Sequence, residues 1–311
     1  MSSSTVLERG ARVGSFLMLA ILLLGFGSLS SARGGAGRGS FVVTCGYSHS
    51  LEDDPIVLPG QPGASHLHDF FGNEGTNANS TLRSMRADGT KCRLLSDRAG
   101  YWSPAVYLAG VRVKPDRVRA YYFGIAREGI ETYPRGLQMV AGSASATTAE
   151  ENTHVQWFCG AAKKLATGTP VSTHPYDCTE YAKTNPFVDG LVAKVDFPNC
   201  WNGSGLTRTD VTYAVHGFAQ PGDPCPEGFE HALPRLILRF HFGFMDPCLG
   251  ATPCTWDDAP QENIKLSLSS GGYVTYHADF WNTWQQRRLD RFVQVCLIEH
   301  TPCGGLVSGR L

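Results

Sequence analysis

Apolar and polar residues alternate with period two along several stretches of this chain. Leu238, Phe240, Phe242 and Phe244 fall on one side, with Arg239 and His241 on the other. Ile264, Leu266 and Leu268 alternate with Lys265 and Ser267, and Tyr273, Thr275 and His277 alternate with Val274 and Tyr276. The segments Val118 to Phe123 and Val211 to Val215 are rich in β-branched and aromatic residues. Successive side chains of extended backbone point to opposite faces, so this pattern predicts strands. Pro-Gly at 59–60 and 221–222 and Gly-Gly at 271–272 supply turns between them. One helix is predicted near the C-terminus, where Trp284, Leu289, Phe292, Val293 and Cys296 share a stripe. Asn282 is its expected N-cap, and Cys296 is expected to tie it to the sheet. The chain therefore reads as mainly β: a disulfide-rich β-sandwich or jelly-roll-like core with a few short helices and that one amphipathic helix.

The N-terminus sharpens this picture. Arg9 and Arg12 precede an apolar run, Phe16 to Leu29, and Ser30-Ser31-Ala32 offers small residues for cleavage. This is the pattern of a secretory signal peptide over residues 1–32. The run is short for a membrane span of about 20 residues, so no stable membrane anchor is expected after cleavage. Residues 33–40, RGGAGRGS, read as a flexible leader, 41–300 as a single domain and 301–311 as a C-terminal tail. All ten cysteines follow residue 32, with no CxxC pair. An even count in an exported chain predicts disulfides and a secreted, extracellular protein. Cys248 and Cys254 bracket only LGATP and are the one pair the spacing nominates. Lysine plus arginine is 27 against 28 for aspartate plus glutamate, a balance that argues against a nucleic-acid partner.

Common catalytic motifs are absent: the sequence has no GxSxG elbow, no HExxH, no Walker A loop and no GxGxxG between a strand and a helix. The chemistry that remains sits in two blocks. In Ser65-His66-Leu67-His68-Asp69, two histidines at i and i+2 on extended backbone share a face, their Cα atoms ~6.5–7 Å apart. Asp69 beside them could orient an imidazole. In Tyr276-His277-Ala278-Asp279-Phe280-Trp281-Asn282, His277 and Asp279 stand two apart where a strand meets the predicted helix. A third polar block, Phe197-Pro198-Asn199-Cys200-Trp201-Asn202-Gly203, reads mainly as structure, a disulfide covered by an indole.

These blocks carry a resemblance. The order Asp54-Pro55-Ile56-Val57, His66-Leu67-His68-Asp69-Phe70-Phe71-Gly72, Tyr101-Trp102-Ser103-Pro104-Ala105-Val106-Tyr107, Pro134 to Gly142, Phe197 to Gly203, Cys225-Pro226 and His277 to Asn282 resembles the secreted domain-of-unknown-function family numbered nineteen-ninety-six, found in actinobacteria and filamentous fungi. The resemblance runs from about residue 41 to Cys296. It implies export and a single domain but no reaction. Wall-carbohydrate-binding modules appended to some fungal relatives imply polysaccharide surroundings. Two positions depart from the family: Asp210 stands where a histidine is usual, and Asn202 where aspartate is frequent.

Three readings follow. His66, His68 and His277 could hold a divalent metal, zinc or copper, with Asp69 and Asp279 beside them and Asp210 as a fourth ligand. Alternatively, Asp69 and Asp279 could act as acid and base on a glycan. The catalytic candidates are thus His66, His68, Asp69, His277 and Asp279. Trp102, Tyr107, Asp210, Trp281 and Asn282 are the candidates for substrate contact. The third reading is a protein that binds cell-wall or extracellular polysaccharide without turnover, and whether the chain is an enzyme stays open at this point.

Overall fold

The structure is a computed structural model that describes residues 39–124, 129–161, 169–207, 215–216 and 224–303. Nine strands build its main sheet: β1 (Ser40–Leu51), β2 (His68–Gly72), β3 (Gly100–Pro104), β4 (Arg117–Phe123), β5 (Gln138–Gly142), β6 (Val155–Ala161), β7 (Val188–Asp196), β8 (Arg235–His241) and β9 (His277–Trp281). Their spatial order is β5-β9-β3-β2-β1-β4-β8-β7-β6. Every neighbouring pair is antiparallel. Two small sheets of four and three strands complete the β structure among the described residues. The fold is mainly β, as the alternation predicts.

That alternation also decides which way each strand faces. Phe41 and Val43 of β1, Val118, Ala120 and Tyr122 of β4, Leu236, Leu238 and Phe240 of β8, and Leu191, Ala193 and Val195 of β7 join one core. Phe71 of β2, Tyr101 of β3, Met139 of β5 and Phe280 of β9 enter the same core from the other half of the sheet. A flat sheet could not do this. The rings of Phe71 and Phe240 lie 5.5 Å apart although two strands separate β2 from β8. Tyr276, at the foot of β9, meets Trp157 of β6 at 5.3 Å, yet those strands lie near opposite ends of the order. With ~4.8 Å between neighbouring strands, such contacts require a sheet curled nearly shut around its core.

The opposite face of β2, β3 and β9 is also covered. Phe70, Trp102 and Trp281 pack there with Ile56 and Met85 in a second, smaller cluster. Ile56 belongs to the connection between β1 and β2, and Met85 is the buried residue of the helix Leu82–Ala87 in the connection between β2 and β3. Thr81 and Ser84 close a capping box at the start of that helix, satisfying amides that would otherwise lack acceptors. This covered outer face is where the candidate site forms.

Ten cysteines make five disulfides: Cys45–Cys92, Cys159–Cys178, Cys200–Cys225, Cys248–Cys254 and Cys296–Cys303. The local Cys248–Cys254 pair is the one the spacing nominated. Cys296 differs from expectation, since it closes a C-terminal loop with Cys303 rather than tying the helix to the sheet. The helix itself runs Gln286–Phe292 and continues as a wider turn, Val293–Ile298. Leu289, Phe292, Val293 and Cys296 are buried as the stripe requires. Its N-cap is Gln285. Asn282 is withdrawn from capping because its amide donates to the carbonyls of Tyr133 and Pro134. Tyr273–Thr275 forms a 3-10 turn instead of a strand. The run from Tyr273 to Trp281 is buried throughout, so its alternation carried no amphipathic signal, and the Thr275 hydroxyl closes the turn on the Gly272 carbonyl. The expected signal peptide, nearly all of the leader and residues 211–214 lie outside the described residues. No helix among the described residues is long and apolar enough to cross a membrane.

A buried polar chain crosses the main core. Trp284 Nε1 donates to the Tyr122 hydroxyl at 3.2 Å, the Tyr122 and Tyr101 hydroxyls meet at 2.8 Å, and Tyr101 donates to Asp97 at 2.8 Å. Burial pushes the Asp97 carboxyl up to about 7, against the pull of the Ala99 amide and the Tyr101 hydroxyl. Its ordinary value is 3.8, so the folded state holds a proton that the unfolded chain releases first. Asp97 therefore favours folding most below about pH 4, and that contribution fades as pH rises to about 7. At about 1.4 kcal/mol per pH unit the span is worth roughly 4 kcal/mol. Urea unfolding from pH 4 to 8 is expected to show this decline in the native chain and a flatter profile in Asp97→Asn.

Candidate functional site

Strand register brings the two histidine blocks together. β3 lies between β2 and β9. His68 pairs with Pro104 of β3, and Asp279 pairs with Trp102. Extending the second register by two residues sets His277 opposite Pro104 as well. Residues opposite one another in a sheet point to the same face. His68 and His277 thus flank Pro104 on one face and reach over it towards each other. Two strand spacings, about 10 Å between Cα atoms, are within the reach of two imidazoles extended from either side. His66, two residues before His68 on extended backbone, joins them as the i, i+2 spacing predicts.

The rings meet through one kind of atom. Nε2 of His277 lies 3.2 Å from Nε2 of His66 and 3.4 Å from Nε2 of His68. The far side of two rings is fixed: Nδ1 of His68 donates to the Asp53 carbonyl at 2.9 Å, and Nδ1 of His277 to the Thr275 carbonyl at 2.9 Å. A carbonyl only accepts, so each of these Nδ1 atoms carries the hydrogen and each Nε2 presents a bare lone pair. Burial lowers the affinity of all three rings for a proton. His277 falls to about 4 through burial, with the charge of His66 adding to it. His68 falls well below its ordinary value through burial and then its two histidine neighbours, and His66 falls through burial. The bare lone pairs of His68 and His277 repel one another unless a cation sits between them, and the Nε2 of His66 either donates a hydrogen to His277 or joins them as a third lone pair.

Two carboxylates stand beside this cluster. Ligand atoms of Asp54, His68 and Asp279 lie within 4.8 Å of one another, as do those of His66, His68 and His277, so His68 belongs to both groups. Asp279 shares the histidine face of β9 because it is two residues from His277. It is fully buried, and neither of its carboxylate oxygens has a hydrogen-bond partner. Burial and the neighbouring charge of Asp54 push its proton affinity well up. Asp54 is steadied by the amides of Ile56 and Val57, both 2.9 Å from Oδ1. Among the described residues the two other clusters of this kind contain Cys45 and Cys92 or Cys248 and Cys254, which are disulfides without a thiolate to offer.

The cluster opens into a pocket of about 420 Å³. Asp54, His66, His277 and Asp279 line it together with Ser65, Ser143 and Ser145. Its remaining walls are small or aliphatic, and no Trp, Tyr or Phe lines it among the described residues. Gly142 stands opposite His277 with φ +88°, and a Cβ there would meet His277 Cα at 2.8 Å. Glycine at this position lets β5 close against the histidine strand.

The structure separates other candidates from this pocket. Asp69 pairs with Ser103 and therefore faces opposite to His68, Trp102 and Asp279. There it accepts from Ser50 at 2.6 Å and pairs with Arg112, whose guanidinium also lies over the Tyr107 ring at 5.5 Å. Asp69 and Tyr107 thus belong to a polar cluster on the far side of the sheet. Trp102 and Trp281 point to the site's face but are buried with Phe70 and Met85, so they support the strands and offer no open surface to a sugar. Asn282 is buried and spent on backbone carbonyls. Asp210 lies outside the described residues. Asp54 is the residue the sequence reading left out. Its signal was local: an aspartate two residues before Ile56, across a proline, is placed to hold the turn's amides. Asp69→Asn breaks a buried ion pair and is expected to cost about 3 kcal/mol in urea unfolding, the scale for such pairs.

No curated protein matches the chain, and no solved structure does. A family model described as "Domain of unknown function (DUF1996)" matches residues 54–284, a span that holds all five clustered side chains from Asp54 to Asp279. The chain belongs to the DUF1996 family.

Proposed function

We propose that the pocket is a metal-dependent site that binds a divalent transition metal on His66, His68 and His277 and acts on polysaccharide outside the cell. One observation carries the metal: three Nε2 atoms converge, and two of the rings are held by carbonyls in the tautomer that leaves those atoms bare. Carbonyl-anchored imidazoles of this kind are the usual outer shell of protein metal sites. Three neutral nitrogens suit zinc or copper. A cation between the rings would also relieve their mutual repulsion. Bound there, such a metal acts as a Lewis acid and makes water a nucleophile near neutral pH.

The chain's own groups set the rest. Asp279 lies on the pocket wall, with Asp54 close behind it, where a carboxyl can hold or pass a proton at the substrate. Asp69 takes no part, so an acid–base pair of Asp69 and Asp279 is set aside, the two facing opposite sides of the sheet. Three observations support a polysaccharide substrate. Serine hydroxyls line the pocket, which is large enough for about one or two sugar rings. All ten cysteines are oxidised, which fits an exported protein. The N-terminal pattern is that of a secretory signal.

Elemental analysis of protein purified without chelators is expected to find one equivalent of zinc or copper. His68→Ala and His277→Ala are expected to lose it, with affinity down at least about 100-fold, the upper end for outer-shell changes. Asp69→Asn should keep it. A native chain without stoichiometric metal, or a His277→Ala variant that retains it, overturns the reading. Release of reducing ends from polysaccharide by the metal-loaded protein, abolished by chelation, is the expected activity. Metal binding with saccharide binding but no product assigns the pocket to recognition instead.

A further inference from the structure

A cation among the three imidazoles leaves the carboxylate end of the pocket uncompensated. Ligand atoms of Asp54, His68 and Asp279 lie within 4.8 Å of one another, and all three residues are buried. Asp279 has no hydrogen-bond partner on either carboxylate oxygen, and it lines the pocket. Asp54, on the same wall, is held by the Ile56 and Val57 amides, both 2.9 Å from Oδ1. No Lys or Arg lines the pocket among the described residues. Burying an ionised carboxylate without a partner is costly, and a second one beside it adds repulsion. The backbone nevertheless holds the two together. Asp279 is fixed on β9 by its register with Trp102 on one side and Val140 on the other, and Asp54 by the amides of its turn.

An ion on the histidines does not answer this need. Ligands about 2.1 Å from one ion lie no more than about 4.2 Å apart. The histidine group and the carboxylate group share His68 and no other member. The carboxylates therefore do not join all three imidazoles in one shell. Nor can His68 serve two ions. Its Nδ1 donates to the Asp53 carbonyl, and its Nε2 faces Nε2 of His277. A cation between the carboxylates must take its protein ligands from Asp54 and Asp279.

We infer that Asp54 and Asp279 hold a second divalent cation of the hard, oxygen-seeking class, Mg2+ or Mn2+. Carboxylate oxygens select such ions over the softer ones that imidazole favours. Two carboxylates leave most of the coordination shell to water. Mg2+ is commonly held in this way, whereas Ca2+ draws six to eight oxygens. The adjoining pocket, about 420 Å³, has room for those waters. Two ions set ~3.5–4 Å apart clamp the attacking and the leaving oxygen of a displacement, so the second cation would give the pocket a second hold on its substrate. That pairing rests on the histidine site proposed above, while the carboxylate site by itself does not.

Titration of Mn2+ into the whole mature chain, loaded beforehand with one equivalent of zinc, tests the inference. The electron paramagnetic resonance signal of free Mn2+ reports what stays unbound. One equivalent of Mn2+ is expected to bind with the zinc retained. Asp279→Asn removes an unpaired buried charge and is expected to fold, as thermal unfolding checks. It is expected to keep the zinc and to weaken Mn2+ binding at least about tenfold. His277→Ala is expected to lose the zinc and still to bind Mn2+. If it keeps the zinc instead, the histidine reading falls while the Mn2+ result stands. Absence of saturable Mn2+ binding to the native chain overturns the inference, as does unchanged Mn2+ affinity in folded Asp279→Asn. Loss of zinc from Asp279→Asn overturns it too, because it makes Asp279 a ligand of the first ion.

Discussion

The candidate site rests on the pairing of one short strand, β3, with β2 on one side and β9 on the other. These registers place His68 and His277 astride Pro104 on one face. The same registers send Asp69 and Ala278 to the other face. Side chains in a strand repeat every two residues, so a one-residue slip in either pairing would exchange the faces. The imidazoles would then lie on opposite sides of the sheet. What holds the register is burial on both sides. Phe71, Tyr101 and Phe280 fill the main core, while Phe70, Trp102 and Trp281 fill the outer cluster. Any slip would move polar residues into one of these cores. Trp102 and Trp281 thus serve the site through the strands they lock and not through contact with a ligand.

The curled sheet sets the second constraint. Contacts such as Tyr276 with Trp157 bind strands from near the two ends of the sheet. Tyr276 immediately precedes His277, and its carbonyl and that of Val274 both accept from the buried Asn152 amide. The approach to the histidine is therefore braced from the far side of the sheet before the ring itself is oriented by the Thr275 carbonyl. A ligand set built on such a support is held by strands rather than by loops, which favours a reproducible geometry. Five disulfides tie down the connections that the strands do not reach.

How much of this could be read in the chain follows from where each signal lives. The i, i+2 spacing of His66 and His68 is a local property of extended backbone, and the structure places their rings 4.2 Å apart as that geometry implies. The convergence of His277 is not local, for it depends on which strand lies between β2 and β9. Residue type and spacing supplied the two blocks but not their facing. Asp69 shows the limit. Adjacency to His68 in sequence suggested a shared role, while alternation on a strand requires neighbours to point apart. Trp102 and Trp281 were legible as aromatic but not as buried, since their cover comes from Ile56 and Met85, in the connections on either side of β2 that lack strong periodicity. Asp54 was hidden because a carboxylate that caps a turn and one that faces a pocket look alike in a sequence.

The polar interior carries a further argument about what the fold has kept. Asp279 is buried with both oxygens unpaired, and the bare Nε2 atoms of His68 and His277 face each other at 3.4 Å. Each feature opposes folding, since buried polar groups without partners cost about 1–3 kcal/mol apiece. An apolar replacement would relieve most of that cost. Elsewhere the buried polar groups are mixed: Asn282 reaches two carbonyls, and Tyr101, Tyr122 and Trp284 pass hydrogen bonds along a continuous chain, while single atoms such as the indole nitrogens of Trp102 and Trp157 lack a partner. The unpaired acceptors on the outer face of β2 and β9 differ from those single atoms in being gathered. They lie together at the floor of one pocket, where something from outside the chain can complete them. A cation among the nitrogens, with a proton or a second ligand contact at the carboxylate, turns the same groups from a burden on folding into a preorganised centre.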